Sequence, residues 1–306
     1  MKVGVIMPLG ESQAIGRPPS YAELRELALQ AEESGFDSVW VYDHLIYRFP
    51  ERPQFGIWEC WSILAGLAEA TKRVELGTLV MCALWRNPAL LAKMAVTTDE
   101  VSGGRLILGL GAGWHEPEFT AFGYPFDHLG GRFAEALQII APLLKEGKVD
   151  FHGKYFSAPE CELTPRGPRP GGPPVLVASK GQQMMRLTAR YADKWNTAWY
   201  GRASAIATRR AEMEEACRDV GRDPQSLEIT VGVNVTFEEP SGTPTTPVDP
   251  DRMLTGTADD IAAALGDYAA AGVGHVIIGL PLTQAPSDTA KGIDVLAKAL
   301  HTFKQG

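Results

Sequence analysis

Ser38-Val39-Trp40-Val41-Tyr42 runs straight into Asp43-His44, and the reading of these seven residues decides the fold. β-Branched and aromatic residues make the first five a short strand, and the acid and imidazole mark its end. The segment before it reads as an amphipathic helix. Ser20 and Glu23 have capping-box spacing, Leu24, Leu27, Ala28 and Ala31 form one stripe, and Gly35 sits where a left-handed cap is wanted. Before that helix, Val3–Met7 is a continuous apolar run, the pattern of a strand covered on both faces. Strand, helix, strand in this order is the unit of a parallel sheet.

The unit repeats toward the C-terminus. A helix over about Trp58–Ala70 leads to a strand at Val74–Val80, and Pro88 suits the first turn of a helix reaching about Val101. Leu106–Leu110 is the fourth strand and runs into Gly111-Ala112-Gly113-Trp114. A helix around Phe133–Leu144, a hairpin excursion from Val149 to Leu163 and a Pro/Gly-rich crossing from Pro165 to Pro174 follow. Strands are then expected at Pro174–Ala178, Lys194–Ala198 and Leu227–Val235, with a charged helix at about Ser204–Val220. Glu239–Pro250 is a polar, proline-rich insertion expected to be mobile. Thr257 caps a helix ending near Gly272, Val276–Gly279 is the last strand, and Ile293–Phe303 the closing helix.

Eight strands and eight helical patterns predict an α/β fold, a (β/α)8 TIM barrel with insertions in its βα loops, as one domain over residues 1–306. A doubly wound open sheet rarely needs so many regular units. The length of 306 residues suits the barrel, which typically takes about 250. A net charge of −8, with no Lys/Arg run longer than two, argues against nucleic acid or an anionic membrane as partner. No run approaches a membrane span, and the N-terminal apolar run is too short for a signal peptide. Cys60, Cys82, Cys161 and Cys217 are scattered without CxxC spacing, which favours reduced thiols in a cytoplasmic protein over a disulfide frame or zinc site.

In such barrels the working residues sit where strands end. That rule selects Met7, His44 and Asp43, the segment Val80-Met81-Cys82, Gly111, Gly113, Trp114 and His115, then Ser179-Lys180-Gly181 and Trp199. His44 is the candidate acid/base; Asp43 either accepts a hydrogen bond from a ligand or holds a neighbouring loop. Gly109, Gly111 and Gly113 either let the backbone approach an aromatic ring or relieve crowding at the barrel mouth. The string lacks the spacing and βαβ context of a dinucleotide fingerprint, so a Rossmann reading is rejected. Ser179-Lys180-Gly181, ahead of a helix, is a candidate phosphate cradle. Trp114 and His115 are expected to line the pocket, and Arg86, Asn87, Glu116, Glu118 and Arg132 to be surface charges or polar groups. A metal-dependent hydrolase using His44, His115 and His128 is disfavoured, because no HxH pair or carboxylate set accompanies them, so no metal is expected. A cofactor-free binding barrel is the reading from another class.

Several motifs, in order along the whole chain, resemble those of the luciferase-like flavin and deazaflavin oxidoreductases. They are Gly35-Phe36-Asp37-Ser38-Val39-Trp40 with Asp43-His44, Leu76-Gly77-Thr78 with Arg86-Asn87-Pro88, and Gly103-Gly104-Arg105 with Leu108–Trp114. Phe122-Gly123-Tyr124-Pro125-Phe126, Ala178-Ser179-Lys180-Gly181 and Ala189–Asn196 complete the set. The resemblance implies an active-site histidine at His44 and a non-proline cis peptide within Leu79-Val80-Met81, against which the cofactor ring would rest. It implies coenzyme F420 with hydride transfer to or from a small organic substrate, or, alternatively, FMN in a monooxygenase served by a flavin reductase. A homodimer through Trp58–Ala70 and Pro88–Val101 is implied as well. Trp114 stands where sugar-phosphate dehydrogenases of the family carry a glutamate, so glucose 6-phosphate is not expected.

Overall fold

Residues 1–50, 53–237, 249, 251–281 and 285–305 are described by the structure, a computed structural model. The barrel strands are β1 (Lys2–Ile6), β2 (Ser38–Val41), β3 (Glu75–Thr78) and β4 (Leu106–Gly111), then β5 (Val175–Ala178), β6 (Lys194–Ala198), β7 (Glu228–Phe237) and β8 (His275–Gly279). Each pairs in parallel with the next, and β8 pairs back to β1, which closes the sheet. The helices are α1 (Tyr21–Glu33), α2 (Cys60–Ala70), α3 (Pro88–Ser102), α4 (Glu116–Phe122) and α5 (Leu129–Glu146), then α6 (Gln182–Tyr191), α7 (Ala207–Asp219), α8 (Ala258–Ala270) and α9 (Pro286–Gln305).

This is the (β/α)8 barrel that the strand pattern predicts, with edges shifted by at most four residues except at α9, which begins seven residues before the expected Ile293. The strand expected over Val74–Val80 is hydrogen-bonded only over Glu75–Thr78, because the chain turns at Leu79 to form its own short strand, Met81–Cys82, beside β4. The helix expected from Ser204 begins with a 3-10 turn at Ala203–Ile206. The excursion expected between Val149 and Leu163 is an antiparallel hairpin of Lys148–His152 with Ser157–Glu162. A second hairpin, Ile46–Tyr47 with Phe55–Gly56, and the short α4 have no counterpart in the sequence pattern. The Glu239–Pro250 insertion lies outside the described residues apart from Asp249.

Local chemistry explains the edges. The Ser20 hydroxyl accepts from Glu23 N while the Glu23 carboxylate accepts from Ser20 N, a reciprocal cap that contributes about 1 kcal/mol. Thr257 and Asp260 repeat the device on α8. Asp37 Oδ2 accepts from Val3 N and Asp193 Oδ2 from Val175 N, so two carboxylates fix the starts of β1 and β5. The Arg105 guanidinium closes the carbonyls of Ala68, Thr71, Val74 and Ser102, at the C-terminal ends of α2 and α3 and the entry to β3.

Trp40 plugs the barrel interior. It is fully buried, and a Cβ on Gly4 or Gly77 would meet it at 2.6 or 2.2 Å. Its Nε1 donates to Ser38 Oγ at 2.7 Å, which leaves the Ser38 hydroxyl proton for His275 Nε2, also at 2.7 Å. Burial pushes the His275 imidazole down to about 3, and the Lys194, Lys2 and N-terminal charges act in the same direction. The unfolded chain therefore binds a proton near pH 6.5 that the folded barrel refuses until about pH 3. Stability is expected to be intact above that window and to fall on acidification by about 1.4 kcal/mol per pH unit within it. Urea midpoints across this range should slope less in His275→Asn; equal slopes in both proteins would remove His275 as the cause.

Candidate active site

A cavity of about 870 Å³ opens at the C-terminal ends of the strands, a size typical of small-molecule sites. Every barrel strand reaches it: Ile6, Tyr42-Asp43-His44, Leu79-Val80, Gly111–His115, Ala178–Lys180, Asn196–Trp199, Asn234 and Gly279. Of the residues selected from sequence, His44, Asp43, Leu79, Val80, Cys82, Gly111, Gly113, Trp114, His115, Ser179, Lys180 and Trp199 line it. Met7 and Met81 are instead fully buried in the core and do not line it. Gly181, at φ +80, opens α6 beside a separate 230 Å³ pocket between α6 and α7.

His44 is half-buried at the end of β2. Its Nδ1 lies 2.7 Å from Glu118 Oε1, and the fully buried Glu118 uses Oε2 to accept from Leu45 N at 3.2 Å. Expecting Glu118 on the surface was an error: α4 carries it inward. Pro117 in the first turn and left-handed Gly123 after the last bound this helix of Glu116–Phe122. Phe119, beside it, is packed between Trp85 and Phe126 and anchors the helix.

Arg86 is likewise not a surface charge. Its Nη1 donates to Asp43 Oδ2 at 2.7 Å and its Nη2 to Glu59 Oε1 at 2.7 Å, while Cys82 N donates to Asp43 Oδ2 at 2.9 Å. Burial works against its charge, yet Asp43 and Glu59 raise the guanidinium above its ordinary range; burial also raises the Asp43 carboxyl, against the pull of Arg86 and Cys82 N. The Asp43 carboxylate is thereby tied to the segment after β3. Asn87 caps α3 through Ala89 N and Leu90 N, Glu116 is exposed, and Arg132 pairs with Asp127.

The Leu79–Val80 peptide is cis, within the predicted segment; a second non-proline cis peptide, Ala198–Trp199, lies across the barrel on β6. The strand-four glycines make room for the protein itself. A Cβ would stand 1.8 Å from Thr78 O at Gly109, 2.7 Å from Val80 Cγ2 at Gly111, and 2.6 Å from Phe119 at Gly113. Of the two explanations for the motif, relief of crowding is the one seen.

An aromatic wall stands at the mouth. Rings of His44 and Tyr47 lie 4.3 Å apart, His44 and Trp114 5.6 Å, Phe49 and His115 4.8 Å, with Trp114 60% exposed. His115 Nε2 accepts from Arg48 N at 3.2 Å, which ties the Ile46–Gly56 hairpin to the start of α4. Burial holds that imidazole below the ordinary histidine value, with His44 pushing the same way against Glu118. On the other side, Ser179 Oγ accepts from Thr188 Oγ1 of α6 at 2.8 Å. The Lys180 ammonium lies below its ordinary range through partial burial and then the nearby Arg252 and Arg209 charges. Three cations therefore share the neighbourhood of the α6 N-terminus.

These residues fit a planar ring with an anionic tail. Apolar side chains of Ile6, Leu79, Val80 and Ala178 offer a surface for the ring, and the Trp85 indole Nε1 is buried without a protein partner. The α6 N-terminus and its cations suit a phosphate. Among the described residues no three His, Cys, Asp or Glu side chains form a group able to hold a metal ion, and no helix is long and apolar enough to cross a membrane.

Comparison with known proteins agrees with the geometry. The luciferase-like monooxygenase family profile matches residues 1–241. Pyrimidine monooxygenase RutA of Escherichia coli (strain SMS-3-5 / SECEC) is 28% identical over 313 aligned positions, covering 96% of this chain and 78% of RutA. An F420-dependent secondary alcohol dehydrogenase solved with an F420-acetone adduct superposes with a TM-score of 0.78 at 20% identity, over 99% of this chain and 98% of that one. The monooxygenase RslO1 from Streptomyces bottropensis superposes with a TM-score of 0.73 at 20% identity, over 98% and 99%.

Proposed function

We propose that this chain, which belongs to the luciferase-like monooxygenase family, is a single-domain oxidoreductase that binds coenzyme F420 at the strand ends and exchanges hydride with a small organic substrate. One observation carries the reading: the His44 imidazole is held through Nδ1 by a buried carboxylate, leaving Nε2 as its free ring nitrogen in an 870 Å³ cavity. A group so held can give or take a proton at a substrate oxygen or nitrogen while the adjacent carbon changes oxidation state. When bound, the deazaflavin supplies the hydride or accepts it.

The chain supplies the rest. Leu79 and Val80, with Met81 packed behind them, back the ring, and Gly111, Gly113 and Trp114 form the neighbouring wall. Ser179, Lys180 and the Gly181 turn hold the phosphate at the start of α6, where free N–H groups favour an anion. Asp43 acts through Arg86 and Cys82 to fix the segment after β3. A homodimer through α2 and α3 belongs to the same reading, in which Leu90 and Val101, 55% and 50% exposed, would be covered.

FMN-dependent monooxygenation is the second reading, favoured by the name of the RutA relative, and would need a flavin reductase as partner. Fluorescence-quench titrations with F420 and with FMN at equal ionic strength separate the two. F420 alone is expected to bind tightly, and Lys180→Ala to weaken it by roughly two- to fivefold through loss of one exposed ion pair. Preference for FMN moves the assignment to oxygen chemistry; binding of neither overturns both.

A further inference from the structure

We propose that Glu118 is the positioning residue of His44 and sets which of its ring nitrogens faces the substrate; the role in turnover rests on the function proposed above. The carboxylate has no proton to give, so at 2.7 Å it takes one from His44 Nδ1 and leaves Nε2 bare in the neutral ring. Its second oxygen is already engaged, accepting from Leu45 N at 3.2 Å. Both partners lie at the exit of β2, whereas Glu118 comes from α4, 74 positions on from His44.

The helix is held for this task from below. The space that a side chain on Gly113 would fill is taken by the Phe119 ring, and Phe119 neighbours Glu118 in the chain. Three other ionisable groups stand around the imidazole, and the first, Tyr42, has its ring centroid 6.2 Å away and its hydroxyl oxygen accepting from Leu9 N and Gly10 N. Tyr47 presents a tilted ring with its centroid 4.3 Å away, and His115 already spends Nε2 on Arg48 N, so none of the three takes His44 Nδ1 from Glu118. In the doubly protonated form, His44 gives the Nε2 proton to a substrate oxygen that gains charge as its carbon takes hydride. The ring is left neutral with its proton on Nδ1, facing Glu118 Oε1.

Glu118→Gln distinguishes this role from a structural one. Leu45 N–H is a fixed donor and claims the amide oxygen, so the amide NH2 faces His44 Nδ1. That nitrogen must then be bare, and the ring proton moves to Nε2. The test is 15N-histidine NMR of the cofactor-free protein at alkaline pH, with the His44 signals assigned by their loss in His44→Gln. Protonation at Nδ1 is expected in the parent and in Glu118→Asp, and at Nε2 in Glu118→Gln. The same tautomer in parent and Glu118→Gln overturns the proposal. With cofactor and a substrate that turns over, kcat in Glu118→Gln is expected to fall about a hundredfold with KM little changed. Because the NMR needs neither ligand, it stands or fails independently of the F420 and FMN titrations.

Discussion

His44→Gln is expected to lower turnover by about 10²–10⁴-fold while leaving cofactor affinity and the unfolding midpoint close to those of the parent. The imidazole is half-buried at the mouth and carries little of the core, so its removal costs proton transfer rather than stability. Loss of Nε2 removes the free ring nitrogen that the dyad with Glu118 presents to the cavity. The check is cofactor turnover with a carbonyl substrate that the parent reduces, alongside a binding titration of the variant. Turnover within about threefold of the parent would reject His44 as the proton-transfer group, whatever the cofactor.

The largest effect on stability is expected at Gly109. Its missing side chain would place a Cβ 1.8 Å from the carbonyl oxygen of Thr78, which is backbone and cannot swing away. Thr78 Oγ1 also donates to Gly109 O at 2.7 Å and accepts from Gly109 N at 2.9 Å, so β3 and β4 are locked together at this point. Gly109→Ala must part them, and overpacking of this kind costs about 3 kcal/mol or more, a large share of an ordinary domain's stability. Gly266 in α8 is the control, since a Cβ there meets nothing within 4 Å. Gly266→Ala should be neutral or stabilise by up to about 1 kcal/mol. Equal denaturation midpoints for the two variants would show that β3 and β4 are not packed as described.

The barrel was legible because its signals are local. Strand composition, the Ser20–Glu23 cap and the Gly35 turn each lie within a few residues, and the strand-end rule then leads to His44, Val80 and Trp114 at the cavity. What escaped the sequence is what depends on distant partners. Asp43 and Arg86 are 43 positions apart, and nothing between them announces the contact. An acid beside a barrel mouth is ordinarily solvated, so Glu118 looked like surface until the seven-residue α4 turned it inward. That helix is too short to show a periodic stripe. Glycines in Leu108–Trp114 were ambiguous for a related reason: a sequence shows that a side chain is missing, not what occupies the space.

Trp40 gives the vessel a solid floor. An occupant near Ile6 and one near Trp114 would lie in one continuous cavity, neighbours in a shared room rather than tenants of separate ones.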